Sequence, residues 1–161
     1  MGGDSFHLKR RWLPGALFSL TALPGWADAG SAQVVVIVGE DSPLKNVTLA
    51  ELRKVFASTS DSIQGTRLTP LNHPAGSALR VHFDAKVLGM SPAQVGRYWI
   101  DRRLRSQPGP PRSVDSSALL KRVTARLAGA ITYVTADQLD ASVRALTIEG
   151  LAHSSPKYPL R

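Results

Sequence analysis

The 161-residue chain contains no cysteine, so neither disulfides nor thiolate chemistry contribute, and stability must come from packing alone. Beyond residue 29 no stretch is apolar and long enough for a membrane helix, which takes about 20 residues. The motifs of common catalysts are missing too. There is no Gly-x-Ser-x-Gly elbow, no His-Glu-x-x-His and no phosphate-cradling Gly-x-x-x-x-Gly-Lys. The four histidines (His7, His73, His82 and His153) are scattered, and metal-ligand spacing is absent. Acids such as Asp137 and Asp140 fall on what reads as a surface turn. These absences argue against an enzyme and against a bound metal or cofactor. No internal repeat or low-complexity tract is visible.

Positive charge is in excess. Twenty Lys and Arg against twelve Asp and Glu give a formal net charge of +8. Lys9, Arg10 and Arg11 form a positive region, followed by an apolar run from Trp12 to Leu23 broken by Pro14 and Gly15. Trp26-Ala27-Asp28-Ala29 then offers the small-x-small pattern for cleavage after Ala29. Residues 1–29 therefore read as a signal peptide, with an uncleaved membrane anchor as the alternative, and the remainder as a periplasmic or secreted protein with no membrane span of its own. The leader carries three cations and two acids, which leaves +7 on the rest. Such a balance favours anionic partners: phosphate-like solutes, acidic envelope polymers or lipid headgroups. Nucleic acid fits the charge but not the export signal. A solvated basic surface with no specific partner explains the charge equally well.

Residues 30–149 carry the pattern of a single small domain. Val34-Val35-Val36-Ile37-Val38 is β-branched without polar alternation, which predicts a strand buried on both faces. Thr48-Leu49-Ala50-Glu51 has the form of a capping box, and Leu49, Leu52, Val55 and Phe56 follow at helical spacing. Thr66 to Leu71 reads as a second strand, ended by Asn72-His73-Pro74. Gly76-Ser77 opens a helix with Leu79, Phe83, Val87 and Leu88 inward and Gly89 as its stop. Ser91-Pro92-Ala93-Gln94 starts another, with Val95, Tyr98, Trp99 and Leu104 on its apolar stripe. Ser106 to Arg112 is a proline-rich loop. Asp115 or Ser116 caps a helix with Leu119, Leu120, Val123 and Leu127 inward. Ala130 to Val134 and Val143 to Ile148 are strands, and residues 150–161 read as a flexible tail. The order predicts an α/β fold: a single small layered domain with a mixed, mostly parallel sheet flanked by helices.

In order and wording these segments resemble the phosphate-binding component of the phosphate ABC transporter, within the type 2 periplasmic binding-protein superfamily, in a short form of one lobe. Four stretches carry the resemblance: the valine-rich opening strand with Pro43-Leu44 after it, Thr48 to Phe56, Gln64 to Pro70, and Gly129-Ala130-Ile131-Thr132-Tyr133-Val134. It implies a solute-binding protein without catalysis, whose ligand class is phosphate or another oxyanion and whose partner is an ABC permease. It also implies a site at Asn72 to Ser77. The family loop is similar to Arg-x-x-Gly-Ser-Gly-Thr. Here Gly76 and Ser77 match, Ala78 stands at the second Gly, Leu79 at the Thr, and His73 where the Arg would be. The ligand residues implied are thus His73, Gly76, Ser77, Ala78 and, as a substitute cation one turn into the helix, Arg80. A helix N-terminus suits an oxyanion through its unpaired amides and the positive end of its dipole, while Ser77 is also what plain capping requires.

A complete binding protein closes two lobes over its ligand, and this chain holds one lobe's worth of residues. The alternative expectation is therefore an envelope protein-interaction scaffold that reuses the lobe without a ligand. Arg97, Arg102, Arg103, Arg105 and Arg112 would then form a basic docking face, unless they are merely a solvated helix surface.

Overall fold

The computed structural model describes residues 33–161, so the expected signal peptide and its cleavage position lie outside the described residues. In chain order the elements are β1 (Val34–Gly39), β2 (Asn46–Val47), α1 (Leu49–Phe56), β3 (Ser62–Ile63), β4 (Thr66–Arg67) and β5 (Thr69–Asn72). Then come α2 (Ala78–Phe83), which runs on into a π-helical turn (Asp84–Leu88), α3 (Pro92–Leu104), β6 (Arg112–Ser113) and α4 (Ser117–Arg126). The chain closes with β7 (Ala130–Thr135), a short 3-10 turn (Ala136–Gln138), β8 (Val143–Ala145) and β9 (Thr147–Ile148).

Five strands make one sheet in the order β6-β5-β7-β1-β8. β5 pairs in parallel with both β6 and β7, while β1 is antiparallel to β7 and to β8. Four strands therefore point one way and β1 the other, the mixed and mostly co-directional sheet expected. The valine run explains why β1 lies inside the sheet: Val34 to Val38 are all essentially inaccessible. The pleat sends Val34, Val36 and Val38 to one face and Val35 and Ile37 to the other. Each set joins a separate apolar cluster. The larger cluster takes in Leu52, Val55 and Phe56 of α1, Phe83 of α2 and Tyr133 of β7. Burial of each such side chain stabilises the fold by about 1.5–3 kcal/mol. Across the sheet α4 packs on β1 and β7, its Leu120 buried with Leu71 of β5 and Ala130 of β7.

Thr48 and Ser91 make the capping boxes anticipated, and Ser116 caps α4. The inward stripe of α4 differs from expectation. Leu119 and Leu127 are 46% and 45% exposed, while Leu120 and Thr124 are buried. Only a narrow strip of this helix rests on the sheet, and residues four apart fill it. Leu104, expected on the stripe of α3, is also exposed. The closing strand is broken at Leu146, whose side chain enters the main core, and β9 leaves the sheet to pair with β2. The proline-rich loop ends in β6, an edge strand that composition did not suggest.

Residues 150–161, expected to be a flexible tail, fold back onto the domain. Tyr158 and Leu160 are buried within the main cluster, and His82 Nε2 lies 3.1 Å from the Leu160 carbonyl, to which it donates. Two apolar side chains spaced by a proline sufficed to anchor the segment.

Candidate functional site

β5 ends at Asn72 and α2 begins at Ala78, so the loop between them carries most of the expected ligand residues. Asn72 is buried and its Oδ1 accepts from the Tyr133 hydroxyl at 3.1 Å. Next to it, His73 turns inward. Its Nε2 donates to the Tyr133 carbonyl at 2.8 Å, and its ring packs 5.0 Å from that of Tyr133. Burial holds the imidazole below its ordinary pKa, the Arg80 charge adding to this and the carbonyl bond opposing it. The neutral ring thus anchors the loop from beneath, and the expectation that His73 contacts ligand gives way to this supporting role.

Gly76 turns the chain with φ at +83°, a left-handed conformation glycine adopts without strain. Ser77 occupies the N-cap position with extended backbone, yet its hydroxyl caps nothing. It donates instead to the Pro74 carbonyl at 2.9 Å. The first-turn amides of α2, which have no partner inside the helix, therefore stay uncapped by Ser77. Ala78 beside them is exposed.

Arg80, expected as a substitute ligand cation one turn into the helix, is buried, only 5% accessible. Its Nε donates to Asp84 Oδ2 at 2.6 Å, and its Nη1 to the His73 carbonyl at 3.3 Å. One guanidinium thereby ties the start of the loop to the helix that follows it. Asp84 opens the π turn, and π turns recur at functional positions. Burial pushes its carboxyl above the usual range, with the Arg80 charge and hydrogen bond pulling the other way.

A pocket of about 230 Å³ opens between α2 and α3. Gly76, Arg80 and Asp84 line its polar end, and Val95, Gly96 and Trp99 of α3 its apolar wall. The structure thus brings Gly76 and Arg80 together at one pocket, while Ser77, Ala78 and His73 lie outside its lining. Asp84 and Trp99 belong to it without having been singled out. Asp84 had a legible signal, the Arg-to-Asp spacing of four along one helix face. Trp99 read as core, and it does pack against the main cluster, but its indole Nε1 is buried with no partner. Among the described residues no group of three or more His, Asp or Glu side chains is placed to share a metal ion.

The arginine cluster divides. Arg102 is buried and donates to the Ser58 carbonyl at 2.8 Å and the Pro108 carbonyl at 3.0 Å, its guanidinium lying over the Tyr98 ring. It staples α3 to two loops and is no part of a basic face. Arg97, Arg103, Arg105 and Arg112 are exposed.

No family model matches the chain. Solved structures do. The chain is similar to an ABC-type phosphate transport receptor from Vibrio cholerae, with 17% identity and a TM-score of 0.64 over 80% of this chain and 52% of that one. It is similar to a protein from Clostridium perfringens, described as a phosphate ABC transporter substrate-binding protein and solved with bound phosphate, at 17% identity and a TM-score of 0.60 over 75% and 46%. PstS from Borrelia burgdorferi matches at 11% identity and a TM-score of 0.57 over 74% and 48%. The likeness is one of fold: a single α/β lobe similar in architecture to part of each of these structures. The chain spans about half the length of the structures it matches.

Proposed function

We propose that this chain is an exported, non-catalytic solute-binding protein that takes phosphate or a related oxyanion at the N-terminus of α2. One observation carries the reading. In a lobe with the fold of phosphate receptors, the first turn of α2 presents amides that Ser77 leaves uncapped, at a loop held open by Gly76. Unpaired amides and the helix dipole attract an oxyanion without a side-chain clamp. Arg80 contributes indirectly. With its charge already matched by Asp84, it positions the loop through the His73 carbonyl. The net charge of +8 draws anions toward the surface. Because one lobe leaves the bound ion facing water, a second wall from an ABC permease or another envelope partner completes the site, and export through residues 1–29 places the protein where it meets both.

Titration calorimetry of the full chain with phosphate and sulfate at low salt tests the reading. Heat from either ion is expected in the millimolar range or below, and Ser77→Asp, which places a carboxylate on the same amides, is expected to abolish it. Absence of heat at millimolar phosphate and sulfate would reject the proposal.

The alternative, a docking scaffold without ligand, has its own observation. Ile100 and Leu104 on α3 are 59% and 80% exposed, one turn apart, beside exposed Arg97 and Arg103. Reversing Arg103 and Arg105 to Glu would abolish capture of an envelope partner under that reading and leave oxyanion binding unchanged under the first. Arg102, being buried, is unsuitable for this comparison.

A further inference from the structure

α3 is apolar on two sides. Its inner side is fixed to the domain: Val95 is buried, the Tyr98 hydroxyl donates to the Ala57 carbonyl at 2.8 Å, and Arg102 donates to the Ser58 and Pro108 carbonyls. These positions recur every three or four residues, so the same helical turn sets the opposite stripe as Ala93, Arg97, Ile100 and Leu104. All four are exposed. A surface helix ordinarily turns a polar face to water. Here the outward stripe instead carries Ile100 and Leu104, the most exposed large apolar side chains among the described residues. The inner contacts fix the rotation of the helix, so this exposure is built into the fold.

The charge around the stripe is one-sided. Arg97, Arg103, Arg105 and Arg112 are exposed, while Asp101 is the one acid between Ser91 and Ser113. Asp101 is already matched by Arg105 at 3.1 Å. Arg97 and Arg103 have no acid partner among the described residues. The loop that follows the helix, residues 105–110, is exposed throughout and leaves the ridge uncovered on that side.

This arrangement suits a bilayer better than a protein partner. A stable protein interface covers about 800 Å² on each side around an apolar centre, and two aliphatic side chains on one ridge supply little of it. A headgroup layer needs no matching surface. It takes up a few inserted apolar groups, and the attraction of arginines to anionic lipid adds to their burial.

We infer that the outer face of α3 docks on an anionic phospholipid surface, with Ile100 and Leu104 entering the headgroup boundary and Arg97 and Arg103 meeting the lipid phosphates. The docking face shares no residue with the loop from His73 to Ala78, so it stands or falls independently of the oxyanion reading.

The absence of cysteine allows a single label to be placed at will. In the full chain, Leu104→Cys carries an environment-sensitive fluorophore on the ridge. Leu119→Cys carries the same fluorophore on α4, on the other face of the sheet. Each is titrated with vesicles of phosphatidylglycerol and of phosphatidylcholine containing a spin-labelled quencher lipid. The label at 104 is expected to blue-shift and be quenched on phosphatidylglycerol alone, and the label at 119 to stay unchanged. That contrast separates docking through α3 from adsorption through any other part of the chain. Each arginine near an anionic surface tightens partitioning about fivefold, so Arg97→Gln with Arg103→Gln is expected to weaken it about 30-fold. No response at 104, equal responses at 104 and 119, equal responses on the two lipids, or unchanged partitioning in the double variant each overturns the inference. A blue shift at 104 that grows with protein concentration in the absence of vesicles assigns the face to a second copy and overturns it as well.

Discussion

Arg80 donates from Nε to Asp84 Oδ2 at 2.6 Å, and both side chains are buried. Removing one member of such a pair strands the other charge, at a cost of about 3–5 kcal/mol. Asp84→Ala is expected to lose that amount in urea unfolding. Asp84→Asn keeps an acceptor for the guanidinium and costs less, yet leaves an unmatched positive charge at the polar end of the pocket. Oxyanion affinity in Asp84→Asn is therefore expected to rise several-fold by calorimetry, and an unchanged or weaker affinity would place the anion away from Arg80.

A side chain at Gly129 would collide with the chain that precedes β5. Its Cβ would stand 2.6 Å from the Arg67 carbonyl oxygen, and its φ of +79° is strained for any other residue. Gly129→Ala is expected to cost about 2–4 kcal/mol, from backbone strain and overpacking together. Gly65 has a similar φ of +78° with no atom within 4 Å of the same position. Gly65→Ala should therefore show the strain alone, about 1 kcal/mol. Similar midpoints for the two variants in urea would show that Arg67 yields.

Features set by neighbours in sequence were legible, and features set by distant partners were not. The β1 run and the boxes at Thr48 and Ser91 follow from side-chain chemistry within four residues, and all three appear as read. The candidate loop was placed through Gly76 and Ser77 for the same reason. The burial of Arg80 and Arg102 was not legible, because a hydrophobicity pattern assigns every arginine to solvent. Each is buried by acceptors that come in part from elsewhere, the His73 carbonyl for one and the Ser58 and Pro108 carbonyls for the other. Thr124 illustrates the converse: it is buried where α4 passes Gly39, at which a Cβ would meet the Thr124 carbonyl at 3.0 Å, a close approach of a distant strand that the helix's own sequence does not spell out.

His73 gives the fold a pH dependence with a definite sign. Its pKa is lowered in the folded state from an ordinary 6.5. The unfolded chain therefore takes up a proton that the folded chain refuses, and stability falls as pH drops from about 6.5 toward the lowered value. Asp84, with its carboxyl raised, acts oppositely: its contribution is greatest when protonated and declines as pH rises above the ordinary carboxylate range. Comparing wild type with His73→Gln isolates the imidazole. The variant is expected to lose the decline below pH 6.5 in thermal unfolding, with its amide still able to donate toward the Tyr133 carbonyl. An identical acid profile in both proteins would show that another group controls it.

The C-terminal segment bears on the site through α2. Leu160 is fully buried, and its carbonyl accepts from His82, which lies on the same short helix as Arg80. Leu160→Ala leaves a cavity in the main core and is expected to cost about 2–5 kcal/mol. Lys157→Ala, at an exposed position three residues earlier, should change stability by less than about 0.5 kcal/mol. Leu160→Ala keeps the carbonyl that accepts from His82 but removes the packing that holds it beside α2, so under the proposed oxyanion reading affinity should fall in Leu160→Ala even at temperatures where the variant is folded. Full affinity in a folded but destabilised variant would show that the tail braces the core alone, and that the loop from His73 to Ser77 is held in place by Arg80 without help from the far end of the chain.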